Sequence, residues 1–165
     1  MTGDDCVQIE VVAVGKLKEK YWLEAQSEYL KRLSRFAGIS VREIAEEKLP
    51  EGASFAEEEQ GRQKEGARIL QALSKHNRIV VLDLAGEAPD SPELALRFRD
   101  WTNKGNSSFS FVIGGSTGLS PEVVDAADYR LCLSRLTFPH QMARIVLLEQ
   151  IYRAMKILGN EKYHK

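Results

Sequence analysis

The sequence predicts an α/β fold: a parallel sheet with helices on its faces. Three observations predict it. Strand-like and helix-like segments alternate along the whole chain. Several strand-like runs are solidly apolar or β-branched, as buried strands are. The strand-like runs of the last third end in glycine- or proline-marked turns that feed helices. At 165 residues, one domain is expected.

Each element has its own signal. Val7–Gly15 alternates and then turns solidly apolar, a strand. Glu19–Arg35 carries Tyr21, Trp22, Ala25, Tyr29, Leu30 and Leu33 at helical spacing, and Gly38 is expected to cap that helix. Ile39–Ile44 alternates as a second strand, and the polar stretch Glu46–Gly52 with Pro50 is a loop. Ser54–Lys75 is a charge-laced helix capped by Ser54 or a neighbour. Gly61 and Gly66 are expected to weaken its middle by about 1 kcal/mol each.

Arg78–Leu84 is a β-branched strand and Gly86–Asp90 a loop. Ser91-Pro92-Glu93 opens a helix, Ser91 capping, which runs to Lys104 and ends at Gly105-Asn106. Ser108–Gly114 is the fourth strand. Ser120-Pro121-Glu122 starts a short helix, Tyr129–Leu133 is the fifth strand, and Pro139–Leu158 is the last helix. Sheets of this kind bind ligands beyond the carboxyl ends of their strands, here Gly15, Leu84, Gly114 and Ser134.

Composition excludes several classes. A net charge of −1 gives no global field for nucleic acid, although the stretch from Arg135 onward is locally basic. Cys6 and Cys132 form no C-x-x-C pair, and no metal site is expected. Met1–Cys6 lacks the basic start of a secretory signal, and no apolar run nears the ~20 residues of a membrane span. A soluble, cytoplasmic, reduced protein is expected.

Candidate chemistry gathers in the last third. Gly114-Gly115-Ser116-Thr117-Gly118 follows a strand and precedes a helix. Its spacing is neither a dinucleotide fingerprint nor a phosphate loop. The glycines serve either a tight β–α turn or a loop whose backbone approaches a ligand. Leu133-Ser134-Arg135-Leu136-Thr137-Phe138-Pro139-His140 ends the last strand. Its main-chain groups can read a planar ring between apolar walls of Leu and Phe. His140 stands in a first helical turn, as a structural residue or a base. The last helix is apolar on most sides, so it must be buried, in part against a second subunit. Glu149 and Arg153 form an i,i+4 pair on it. Tyr163-His164-Lys165 offers a ring, an imidazole and a cation for a base and a phosphate.

Together VVAVGK, EYLKR, RIVVLDLAGE, FVIGGSTGLSPEV, LSRLTFPHQMARIVLLEQIYRAMKI and the final YHK resemble one family. It is the SPOUT-class methyltransferases that modify N3 of a pseudouridine in 23S rRNA. The resemblance covers the chain from Val7, so residues 1–6 read as an extension and 7–165 as one domain. It implies a C-terminal trefoil knot, a homodimer, S-adenosylmethionine as cofactor, and 23S rRNA in the 70S ribosome as partner. Carried over by position, the cofactor would contact Leu82, Gly115, Ser134, Arg135, Leu136, Thr137, Phe138 and Pro139. His140, Arg153, Tyr163 and His164 match positions near the substrate and are the catalytic candidates. Thr117 departs from a position where an acidic residue is common. Two other readings remain: a ribosome-associated binder of the cofactor without turnover, and a tRNA methyltransferase of the same fold.

Overall fold

A computed structural model describes residues 6–162. The strands are β1 (Gln8–Val14), β2 (Gly38–Ile44), β3 (Arg78–Glu87), β4 (Ser108–Ile113) and β5 (Tyr129–Leu131). The helices are α1 (Lys20–Leu33), α2 (Phe55–Ala72), α3 (Ser91–Asn103), α4 (Pro121–Asp125) and α5 (His140–Leu158). The sheet order is β2-β1-β4-β3-β5, and every pairing is parallel. The predicted fold class is therefore the observed one.

Side-chain alternation decides which helix covers which face. Ile9, Val11 and Ala13 of β1 join one apolar cluster with Phe109, Phe111, Leu94, Phe98, Trp101, Leu147 and Ile151. Val12 and Val14, one residue out of phase, join the other with Ile44, Ile69, Val112 and Val123. Helices α1, α3 and α5 pack on the first face, while α2 and α4 pack on the second. Phe98 is the hub of the larger core, with ring centroids 5.4 Å from Phe109 and 5.5 Å from Trp101. Such edge-on pairs add to burial alone.

Local chemistry sets the helix starts. Ser54 caps α2 as expected: its Oγ accepts from the Glu57 N–H at 3.2 Å, and Glu57 Oε2 accepts from the Ser54 N–H at 2.7 Å. Ser54→Ala is expected to lower stability by about 1 kcal/mol, read as a shift in the urea midpoint with an unchanged slope.

Other local expectations are corrected. Asp90, not Ser91, caps α3, because only from Asp90 does Glu93 stand three residues on and close a reciprocal box (2.8 Å each way). Ser91 Oγ instead donates to Gln150 Oε1 of α5 at 2.6 Å. Gly38 is no helix cap. Ser34 ends α1, and Gly38 opens β2, its N–H donating to Val7 O at 2.8 Å. Helix α2 is continuous through Gly61 and Gly66 and buries both. A Cβ on Gly66 would stand 2.9 Å from Ser120 Cβ, so the missing side chain is what lets α2 lie on the start of α4.

Strand β3 runs past its expected end at Leu84, through Gly86 to Glu87. Both Leu82 and Glu87 register with Leu131, so the residues between them bulge from the ladder. Asp83 holds the bulge: Oδ1 accepts from the Ala85 N–H at 2.9 Å, and Oδ2 takes the Arg130 guanidinium at 2.6–2.8 Å.

Candidate active site

The bulge, the glycine turn and the loop after β5 meet at the carboxyl ends of the central strands. There they wall a cavity of about 600 Å³. A cavity of that size suits a ligand of nucleoside dimensions. Leu82, Asp83 and Leu84 form one side, Gly114 to Ser116 with Gly118 and Leu119 another, and Leu133, Ser134 and Leu136 to Pro139 a third; His140 and Ala143 close the rim from α5.

The glycine turn is built to leave its backbone bare. The Gly118 N–H donates to Gly115 O at 3.1 Å, and Gly118 has φ +82°, which needs no side chain. A Cβ on Gly114 would lie 3.0 Å from the Gly118 carbonyl carbon, and one on Gly115 3.1 Å from Val14 Cγ1. The turn is tight, as one of the two readings of these glycines requires, and it lines the cavity. The opposite loop is braced by Ser134, whose Oγ accepts from the Leu136 N–H at 3.0 Å, and by Cys132, whose thiol donates to Ser134 O at 3.1 Å. Leu136 is 72% exposed, an apolar side chain held at the cavity mouth.

Of the residues expected at a cofactor, Leu82, Gly115, Ser134, Leu136, Thr137, Phe138 and Pro139 line this cavity. Arg135 does not; it sits exposed on the loop. These residues fit S-adenosylmethionine: apolar walls for an adenine, bare main chain for its edges, and room for the rest. His140 lines the rim, in the first turn of α5 after Pro139. Arg153 is not part of the cavity. It lies thirteen residues further along α5, about 20 Å away at the helical rise. Its guanidinium is held by Glu149 Oε1, 3.0 Å from Nε and 2.5 Å from Nη2. Tyr163 and His164 fall outside the described residues.

Two buried residues behind the site were missed by the sequence reading. Arg144 is 1% exposed, the largest wholly buried side chain. Its Nη1 donates to Glu43 Oε2 at 2.9 Å and Gln26 Oε1 at 3.3 Å, and its Nη2 to Gly15 O at 3.2 Å. One guanidinium thus ties β2, α1 and the end of β1 to the helix that carries His140. The signal was available: one arginine inside the apolar run 142–148.

Glu65 of α2 is the other. It is 4% exposed, and its carboxylate lies 3.5–3.6 Å from where a Gly115 Cβ would stand. Burial pushes its pKa above the usual carboxylate range, and the nearby Glu46 and Glu47 carboxylates add to this; the Glu47 N–H and Arg68 pull the other way. The folded chain therefore holds this proton more tightly than the unfolded chain does. Its contribution is full below the unfolded value and is lost as pH rises through the folded one. Glu65→Gln, which keeps an acceptor for the Glu47 N–H, is expected to raise the melting temperature at pH 7. The gain should shrink to nothing as pH falls toward 4, measured by thermal unfolding across that range.

Among the described residues no group of His, Cys, Asp and Glu is placed to hold a metal ion, and no helix is long and apolar enough to cross a membrane.

Comparison with known proteins gives this geometry a family. Residues 7–164 match the family model described as "Predicted SPOUT methyltransferase". A Ruminiclostridium cellulolyticum protein named ribosomal RNA large subunit methyltransferase H is 50% identical over 159 residues, 96% of this chain and 100% of that one. A Clostridium perfringens relative, ribosomal RNA large subunit methyltransferase H 1, is 47% identical with the same coverage. Among solved structures, a probable methylase family protein of Haemophilus influenzae superposes with TM-score 0.52 at 13% identity, covering 95% of this chain and 70% of that one. A TrmH/SpoU tRNA modifying enzyme of A. aeolicus gives 0.50 at 18% identity, over 92% and 77%. At these identities the structures speak for the fold alone.

Proposed function

We propose that this chain, which belongs to the SPOUT methyltransferase family, methylates N3 of a pseudouridine in large-subunit ribosomal RNA. Its cofactor is S-adenosylmethionine. The observation that carries this reading is the cavity, lined by the glycine turn and the loop after β5 together with the apolar side chains of Leu82, Leu136 and Phe138.

When bound, S-adenosylmethionine supplies an electrophilic methyl group on a sulfonium. The chain's own residues do the rest. The main chain of 114–118 and 134–139 holds and orients the cofactor, while Leu82, Leu136 and Phe138 exclude water from it. The target N3 carries an imide proton and is a poor nucleophile until that proton leaves. His140, which lines the rim, would hold the ring or take the proton. Arg153 stabilises negative charge developing on the ring oxygens, and Tyr163 and His164 orient the ring.

Arg153 and the cavity of one chain stand about 20 Å apart along α5. The proposed site is therefore completed by a second copy of the chain, as a homodimer. The apolar side chains left exposed at or near the mouth, Leu84, Leu136 and Met142, suit that contact. A trefoil knot formed by the C-terminal part belongs to the same proposal, as does action on the assembled 70S ribosome.

The test is calorimetric titration with S-adenosylmethionine, then methyl transfer to 70S ribosomes from cells lacking this gene. Mass spectrometry of the rRNA reads the product. The expected result is binding followed by one new methyl on a pseudouridine base. Binding without any transfer would leave a cofactor-holding ribosomal protein; transfer to tRNA in place of rRNA would move the substrate.

A further inference from the structure

The net charge of −1 leaves unanswered how an enzyme of this kind holds an RNA strand. Besides the basic stretch from Arg135 onward, a second segment departs from that balance. Lys16, Lys18 and Lys20 stand within five residues that hold a single acid, Glu19, and Tyr21 and Trp22 follow at once. All three lysines are exposed, and Tyr21 is 63% exposed. The two rings lie 5.2 Å apart at 59°. Among the described residues, neither Lys16 nor Lys18 has a carboxylate at ion-pair distance, and Lys20 has only the exposed Glu24 at 3.5 Å.

The segment is anchored. Leu17, between two outward lysines, is 6% exposed, and its N–H donates to Glu43 Oε2 at 3.2 Å. That same oxygen takes the buried Arg144, whose other arm holds Gly15 O. Exposed cations are thus displayed from a fixed backbone. The segment also starts at the cavity. A Cβ on Gly15 would meet His140 Nε2 at 3.4 Å, and Val14 lies under Gly115. Two acids stand at this junction: Glu43, engaged by the Leu17 N–H and Arg144, and Glu46, its Oε2 3.6 Å from the same Gly15 position.

We infer that Lys16–Trp22 is the RNA-docking surface of the enzyme: the lysines take backbone phosphates of the strand entering the cavity, and Tyr21 stacks on a neighbouring base. Cations tracking a backbone beside aromatic platforms are how proteins hold single strands without reading sequence. The inference rests on the proposed RNA methylation, and its test separates the two.

The probe is a fluorescein-labelled single-stranded oligouridine read by anisotropy, with the Michaelis constant for 70S ribosomes as a second readout. The variants are the triple change Lys16→Gln, Lys18→Gln, Lys20→Gln, together with Tyr21→Ala and Tyr21→Phe. The triple variant is expected to flatten the plot of log affinity against log salt by about 2, from three contacts at roughly 0.7 each. It should raise the Michaelis constant roughly tenfold at low salt, while S-adenosylmethionine binds as before. Tyr21→Ala is expected to weaken the oligomer roughly tenfold, and Tyr21→Phe to restore it. An unchanged salt slope and Michaelis constant would overturn the inference. So would a triple variant whose defect traces to a changed oligomeric state in sedimentation, which would make the segment a protein interface. If the native chain binds the cofactor yet methylates nothing, the proposed function falls, and the anisotropy still judges the surface.

Discussion

Arg153→Ala is expected to bind S-adenosylmethionine within about twofold of the native chain and to lose methyl transfer by roughly 100- to 1,000-fold, the loss typical when a group facing developing charge is removed. The two halves of that expectation have separate grounds. Arg153 does not line the cavity, and its position on α5 puts it about 20 Å from His140. Truncating it leaves the cofactor walls untouched. The fold should also survive, because Arg153 is only partly buried and Glu149 keeps a second donor, Gln150 Nε2 at 2.7 Å. Methylation falls because a positive charge would be missing where the deprotonated ring needs one. Calorimetry measures the first half and single-turnover transfer to ribosomes the second. Full transfer by the variant would remove Arg153 from the mechanism. On the proposed homodimer, co-expression of Arg153→Ala with His140→Ala chains is expected to recover activity, since a mixed dimer would contain one intact composite site. Failure of that mixture, with each variant folded, would place both residues in the same subunit's site.

Gly86→Ala carries the largest structural effect. A Cβ there would stand 2.6 Å from the Arg130 carbonyl carbon and 3.0 Å from Asp83 O, both main chain. No rotamer relieves such a clash; β3 and β5 must move apart. Overpacking of this kind costs about 3 kcal/mol, so the melting temperature should fall by roughly 6–12 °C in a chain of this size. Because Leu82, Asp83 and Leu84 of the displaced bulge line the cavity, cofactor affinity should fall with it. Gly52→Ala is the control. Gly52 has φ +73° but nothing within 4 Å of its added Cβ, so only backbone strain of about 1–2 kcal/mol is expected. Equal stability of the Gly86→Ala and native chains would mean that the strands are not packed as described.

What the residues announce locally, they announced well. The Ser54 cap, the fourth strand from Ser108 and the apolar last helix all stand where the sequence places them, the strand ending one residue early, because caps and side-chain periods act over a few positions. Where two local signals compete, the reading slipped. Ser91-Pro92-Glu93 looks like a helix start, yet the reciprocal bonds begin one residue earlier, at Asp90. Most of the cavity lining was legible too, but through the family resemblance of the two loops rather than through their spacing.

Glu65 left no local mark of function, and Arg144 only that of a lone cation in an apolar run. On α2, Glu65 is one acid among many; only the approach of the Gly115 turn makes it a buried carboxylate. Arg144 becomes a clamp only when β1 and β2 bring Gly15 and Glu43 to it, across 129 and 101 residues of chain. The sequence by itself determined the α/β class, the loops that wall the cavity and the family. Tertiary structure alone decided the strand order β2-β1-β4-β3-β5 and which charges are buried. The reason is physical: propensity, capping and periodicity are fixed by neighbours along the chain, whereas desolvation and contact depend on neighbours in space.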